Sequence, residues 1–142
     1  MKVLGIDPGS NITGYGLIEK NSAGLVGAAY GEIRSPRTGT FSGRLLKIHS
    51  EMMKLISESS PDAIAIEEIF YGKNVQSLIR QGHARGVAIL AAAQSGVPVY
   101  EYSPTEIKQA VAGFGHADKK QVQSMVRIIL GISRMTSLDA SD

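Results

Sequence analysis

Cysteine is absent from the 142 residues, which excludes disulfides and thiolate metal sites. Histidine is scarce, and His49, His83 and His116 show no close ligand spacing. Any bound metal must therefore rest mostly on oxygen ligands. No apolar run approaches the ~20 residues needed to cross a bilayer. The opening Met1 to Ile6 run meets Asp7 too soon to act as the hydrophobic region of a signal peptide. These absences predict a cytosolic, cytoplasmic protein. Neither an internal repeat nor a low-complexity segment interrupts the chain, and 43% apolar residues over this length suit one packed domain spanning 1–142. The formal net charge of +2 is too small to argue for a polyanionic partner by itself.

What is present reads as an α/β chain. Val3 to Ile6 is a short apolar strand that ends at Asp7-Pro8-Gly9, where proline and glycine enforce a turn. Thr13 to Ile18 and Leu25 to Ile33 follow as further strands. Phe41, Leu45, Ile48, Met52, Leu55 and Ile56 then recur at spacings of mainly three and four, predicting an amphipathic helix capped by Thr40. Pro61-Asp62 breaks it, and Ala63 to Ile66 is a continuously apolar central strand that delivers Glu67 and Glu68 to its end. Asn74 to Ser95 predicts a long helix in which Gly82 and Gly86, four residues apart, share a face open to close packing. Val99 to Tyr102 is another strand. Ser103-Pro104-Thr105-Glu106 combines a capping serine, proline at the first helical position and a glutamate that completes a capping box. A second box, Asp118 to Gln121, opens a helix through Leu130. Thr136 to Asp139 begins a last helix, which the sequence is expected to cut short at Asp142.

Four carboxylates stand out. Asp7 and Glu67 lie at the ends of the first and fourth strands, where α/β sheets collect their sites. Asp139 and Asp142, at i and i+3, share one face of the last helix. Each has an ordinary explanation: an aspartate before Pro-Gly is usually a turn residue, and acids at a helix start complement its dipole. Gathered in one place, they repel one another unless a cation compensates them. Hard oxygen donors favour Mg²⁺ or Mn²⁺. Two such ions roughly 4 Å apart suit in-line phosphodiester hydrolysis. With those four drawn from the 13 acidic residues, the 15 lysines and arginines clearly outnumber the remaining acids. Such a surface could hold nucleic acid.

Asp7-Pro8-Gly9-Ser10-x-x-x-Gly14-Tyr15-Gly16, Ile66-Glu67-Glu68-Ile69-Phe70, Gln81-Gly82-His83-Ala84-Arg85-Gly86-Val87 and Asp139-Ala140-Ser141-Asp142 resemble, in order, the signature segments of the RuvC-type Holliday junction resolvases. The resemblance runs from Met1 to Asp142. It implies a ribonuclease-H-like fold, a mixed five-stranded sheet flanked by helices. It also implies a homodimer joined partly through the Gly82–Gly86 helix, and nicking of opposed strands of four-way junction DNA. Carried over by position, Asp7, Glu67, Asp139 and Asp142 are the metal-binding carboxylates, with Mg²⁺ as cofactor. Lys108 and Lys119 match basic positions that grip phosphate and offset transition-state charge. Phe70 matches an aromatic that meets unpaired bases. Lys73, Asn74, Arg80 and Lys120 are further candidates for DNA contact, and a branch-migration complex of the RuvA and RuvB type is the implied partner.

Three other readings fit parts of the sequence. The Asp-x-Gly loop also resembles that of actin-like ATPases, but those need two lobes and a second such loop. Single-domain nucleases that process ribosomal RNA precursors share the first motif and differ in substrate. A junction-binding module with impaired catalysis is the third, suggested by a last helix ending at Asp142.

Overall fold

The structure, a computed structural model, describes residues 1–69, 71–72 and 74–131. The terminal helix expected from Thr136 lies outside them. Among the described residues the chain forms β1 (Lys2–Asp7), β2 (Ile12–Asn21), β3 (Gly24–Arg34), α1 (Phe41–Ser59), β4 (Ala63–Glu67), α2 (Val75–Gln94), β5 (Val99–Tyr102), α3 (Pro104–Ala112) and α4 (Lys119–Leu130). The strands make one sheet in the order β3-β2-β1-β4-β5. β1, β2 and β3 form an antiparallel meander, whereas β4 and β5 run parallel to β1. The sheet is therefore mixed and five-stranded, as expected.

Local chemistry accounts for the boundaries. Thr40 caps α1 by accepting from the Gly43 amide at 3.0 Å. At the other end of α1, Ser60 turns into the left-handed region (φ 47°) and returns its N–H to Ile56, after which Pro61 prevents continuation. β2 and β3 extend further than their apolar residues suggest, because a turn holds their polar ends together. Asn21 Oδ1 accepts from the Ala23 amide at 2.9 Å, and Gly24 takes a φ of 118°. The register between β2 and β3 shifts at Leu17/Ile18. Ala28, amid the small residues of β3, is the extra residue of the resulting bulge.

One face of the sheet holds the core. Leu4, Ile6, Leu17, Ile33, Ile64 and Ile66 pack against Ile48, Met52 and Ile56 of α1 and Ala84, Ala88, Ala91 and Ala92 of α2. The alanines let α2 approach closely, while α1 supplies the bulk at i, i+4 and i+8. The other face carries Val3, Gly5, Gly16, Ile18 and Ala65, which meet Ala110 and Val111 of α3 and Val126, Ile129 and Leu130 of α4 around a cavity of about 350 Å³. No helix among the described residues is long and apolar enough to cross a membrane.

Candidate active site

Asp7 and Glu67 are brought together by strand pairing. β1 and β4 run parallel with Ile6 opposite Ile66. The next step along both strands sets Asp7 beside Glu67, with the strands about 4.8 Å apart. Ile6 and Ile66 point into the core, so alternation turns both carboxylates to the opposite face. Asp7 accordingly lines the cavity between the sheet and α3/α4. Both acids therefore sit at neighbouring strand ends, on the same side.

The Asp-Pro-Gly turn is built to hold this geometry. A Cβ on Gly9 would lie 2.3 Å from the Ile12 carbonyl oxygen, so any side chain there would push the loop away. Thr13, fully buried, donates its hydroxyl to the Gly9 carbonyl at 3.0 Å and accepts from the Gly9 amide at 3.3 Å. Arg44 of α1 braces the same loop from outside, donating to Asn11 Oδ1 at 3.2 Å and to the carbonyls of Pro36 and Arg37.

At the end of β4, the Glu68 amide donates to the Tyr102 carbonyl at 2.9 Å. Glu67 pairs with Tyr102 of β5, and Asp7 with Gly14 of β2, which in turn faces Glu32 of β3. One row across the sheet thus reads Glu32, Gly14, Asp7, Glu67, Tyr102. Gly14, a buried glycine, flanks Asp7 on one side, and an exposed tyrosine borders Glu67 on the other. Glu32 is held by Arg34 at 2.6 Å.

The basic candidates come from the helices. The expected box at Ser103 forms, with Ser103 Oγ accepting from the Glu106 amide at 3.2 Å and Glu106 Oε2 accepting from the Ser103 amide at 2.7 Å. It fixes the start of α3, whose second turn carries the half-buried Lys108. Asp118 and Gln121 make the second box, with bonds of 2.8 and 2.9 Å. Lys119 and Lys120 then occupy the first turn of α4, with no acid there. Cations at a helix's positive end oppose the dipole. The same concentration of positive charge suits a phosphate backbone.

Other candidates have structural roles. Asn74 caps α2, its Oδ1 accepting from the Ser77 amide at 3.2 Å. The Arg80 guanidinium lies 5.9 Å from the Phe41 ring centroid, and that ring meets His83 edge-on at 5.6 Å. Phe70, Lys73, Asp139 and Asp142 lie outside the described residues. Among the described residues no group of three or more His, Cys, Asp or Glu side chains could hold a metal ion.

Thr13, Gln81, Arg85 and Tyr102 also bear on the site, and no sequence pattern singles them out. Gln81 and Arg85 belong to one of the signature segments, but nothing in their spacing indicates that they reach the strand ends. Tyr102 lay within a predicted strand, and its place beside Glu67 follows only from β5 pairing with β4.

Residues 3–142 match the family described as crossover junction endodeoxyribonuclease RuvC. The chain belongs to the RuvC family. It is 48% identical to the RuvC of Geobacter sulfurreducens over 142 residues, covering 100% of this chain and 87% of that protein. The RuvC of Chloroflexus aggregans is 45% identical over 139 residues, covering 98% and 85%. Among solved structures, Thermus thermophilus RuvC in complex with Holliday junction substrate superposes with a TM-score of 0.91 at 33% identity, covering 99% of this chain and 87% of that one. The yeast mitochondrial Holliday junction resolvase Ydc2 has the same fold, with a TM-score of 0.66 at 12% identity over 98% and 74% of the two chains. These likenesses place the mixed sheet among the ribonuclease-H-like resolvases. Membership of the RuvC family over the whole matched length also removes the actin-like and RNA-processing alternatives as family assignments.

Proposed function

We propose that this chain is a crossover junction endodeoxyribonuclease that nicks opposed strands of four-way DNA junctions by divalent-metal-dependent phosphodiester hydrolysis, in recombination and repair. The observation that carries the proposal is the placement of Asp7 and Glu67 on one face, at adjacent ends of parallel strands, in a chain of the RuvC family.

Asp7 and Glu67 are hard oxygen donors without cysteine or clustered histidine nearby, a set that fits Mg²⁺, with Mn²⁺ able to substitute. Asp139 and Asp142 complete the proposed ligand set. Bound there, two such ions supply an activated water and neutralise charge on the departing oxygen. The protein's own part is positional. Adjacent carboxylates anchored on strands present a fixed anionic pair, and Lys108 and Lys119 attract and orient the phosphate while balancing charge that develops during attack. Lys73, Asn74, Arg80 and Lys120 extend the backbone contacts, and Phe70 stacks on an unpaired base.

The homodimer is part of the proposal. Val75, Ile79 and Leu90 are exposed along one side of α2, and helical spacing puts Gly82 and Gly86 on that stripe. A Cβ at Gly86 would meet nothing within 4 Å, so a second copy could approach the backbone there. Two such subunits present two carboxylate sets to the two opposed strands of one junction. A single nuclease domain, a cytoplasmic location and a branch-migration complex of the RuvA and RuvB type as partner complete the reading.

The test is an immobile four-way junction with and without Mg²⁺, cut by the wild type and by Asp7→Asn and Glu67→Gln. Both variants should lose cleavage by about 10²-fold or more while binding the junction as the wild type does. Equal loss of binding and cleavage counts against the assignment. Binding without any metal-stimulated nicking by the wild type would establish a junction-binding module instead.

A further inference from the structure

We propose that Arg85, supported by Gln81, is a positioning residue that fixes the separation of Asp7 and Glu67 from the reverse side of the sheet. The inference deepens the nuclease reading and rests on it. Arg85 Nε donates to the backbone carbonyl of Glu67 at 3.1 Å, and its outer nitrogen forms an ion pair with Glu101 of β5. Its side chain is only 17% exposed. Glu101 pairs with Ile66, so its carboxylate shares the core side of the sheet. One planar guanidinium thus spans the ends of β4 and β5 behind the carboxylate that faces the site.

Gln81 stands one turn earlier on the same side of α2 and donates to the Pro8 carbonyl at 3.4 Å. Pro8 directly follows Asp7. The two residues therefore tie one helix to the ends of both strands that carry the acidic pair. The stripe proposed for the dimer lies on the outward side of α2, so the helix that meets the partner also sets the site's rear support.

Energetics favours this reading over simple bracing. A largely desolvated guanidinium contributes little net stability, and well-packed apolar residues commonly replace such ion pairs without loss. What an apolar residue cannot do is hold a backbone carbonyl with a directed bond. Residues behind a metal ligand that fix its orientation typically change metal affinity or activity by about 10- to 100-fold when removed.

The experiment compares wild type, Arg85→Ala, Arg85→Lys and Glu101→Ala. Mn²⁺ binding to DNA-free protein is measured by electron paramagnetic resonance, together with junction affinity, kcat for nicking and thermal midpoint. Arg85→Ala should weaken Mn²⁺ binding and lower kcat at saturating metal by about tenfold or more each, with junction affinity unchanged. Lysine keeps the charge but cannot span both acceptors, so Arg85→Lys should recover part of each loss. Glu101→Ala, on the half-exposed edge strand, should show a smaller shift of the same sign.

A fall in thermal midpoint alone, with Mn²⁺ affinity and kcat per folded molecule unchanged, makes Arg85 a strut and overturns the proposal. If Arg85→Ala does not fold, wild-type values in both Arg85→Lys and Glu101→Ala overturn it equally. A wild type that binds Mn²⁺ without nicking refutes the nuclease reading, while the binding comparison still decides the role of Arg85. A wild type that binds no Mn²⁺ overturns both.

Discussion

The buried hydroxyl of Thr13 bonds both backbone groups of Gly9, donating to its carbonyl at 3.0 Å and accepting from its amide at 3.3 Å. The β1–β2 turn is closed across its base by a side chain rather than by backbone alone. Asp7 stands two residues before Gly9, so the conformation of this loop is transmitted to the carboxylate.

Replacing Thr13 with valine keeps the shape but leaves the two Gly9 groups without that partner. The expected cost is about 1–3 kcal/mol, read as a lower urea midpoint. Thr13→Ser should recover most of it. Equal midpoints for the valine and serine variants would show that the hydroxyl is not what holds the turn.

Gly9→Ala places a methyl 2.3 Å from the Ile12 carbonyl oxygen. The loop must move, at a cost of about 1–3 kcal/mol. Because the loop begins at Asp7, nicking per folded molecule should fall as well. Wild-type stability and rate together would mean that the turn has more room than the geometry indicates.

Lys108→Ala removes a candidate phosphate contact from α3. Fewer counterions would then be released on binding, and the slope of log K against log salt should become shallower by about 0.9 for one lost contact on duplex DNA. Junction titrations at several salt concentrations measure this. An unchanged slope, with an unchanged nicking rate, removes Lys108 from the site.

Glu106 gives the α3 cap a pH dependence. The Ser103 amide, and after it the Ser103 hydroxyl, hold its carboxyl below the ordinary value of 4.5. A carboxyl depressed in the folded state contributes stability above its unfolded pKa and loses that contribution as pH falls through the folded value. Wild type should therefore exceed Glu106→Gln in stability near neutral pH, with the gap closing below the ordinary carboxyl pKa. A gap that persists undiminished in acid would assign it to the neutral part of the capping box.

Much of the fold was legible because it rests on local chemistry. The Ser103 and Asp118 boxes, the Thr40 cap and the apolar spacing of α1 all involve residues within a few positions of one another, and all form as read. The bulge at Ala28 was not legible, since it depends on the register of β2 against β3. Asn74 was read as a possible DNA contact, and its role as the cap of α2 became visible only with the Ser77 amide placed beside it. Asp139 and Asp142 remain part of the functional proposal through their spacing and family resemblance.

The sequence alone determined which residues could carry the chemistry: Asp7 and Glu67 at strand ends, oxygen donors in a chain without cysteine, and lysines within the first two turns of two helices. It could do so because turn, cap and strand preferences depend on near neighbours. Only the tertiary structure decided that Ile6 lies opposite Ile66, which turns two acids sixty positions apart toward one face. The Arg85 bridge across β4 and β5 was decided there too. Such relationships are set by strand order and helix packing, which bring together atoms that no local pattern relates.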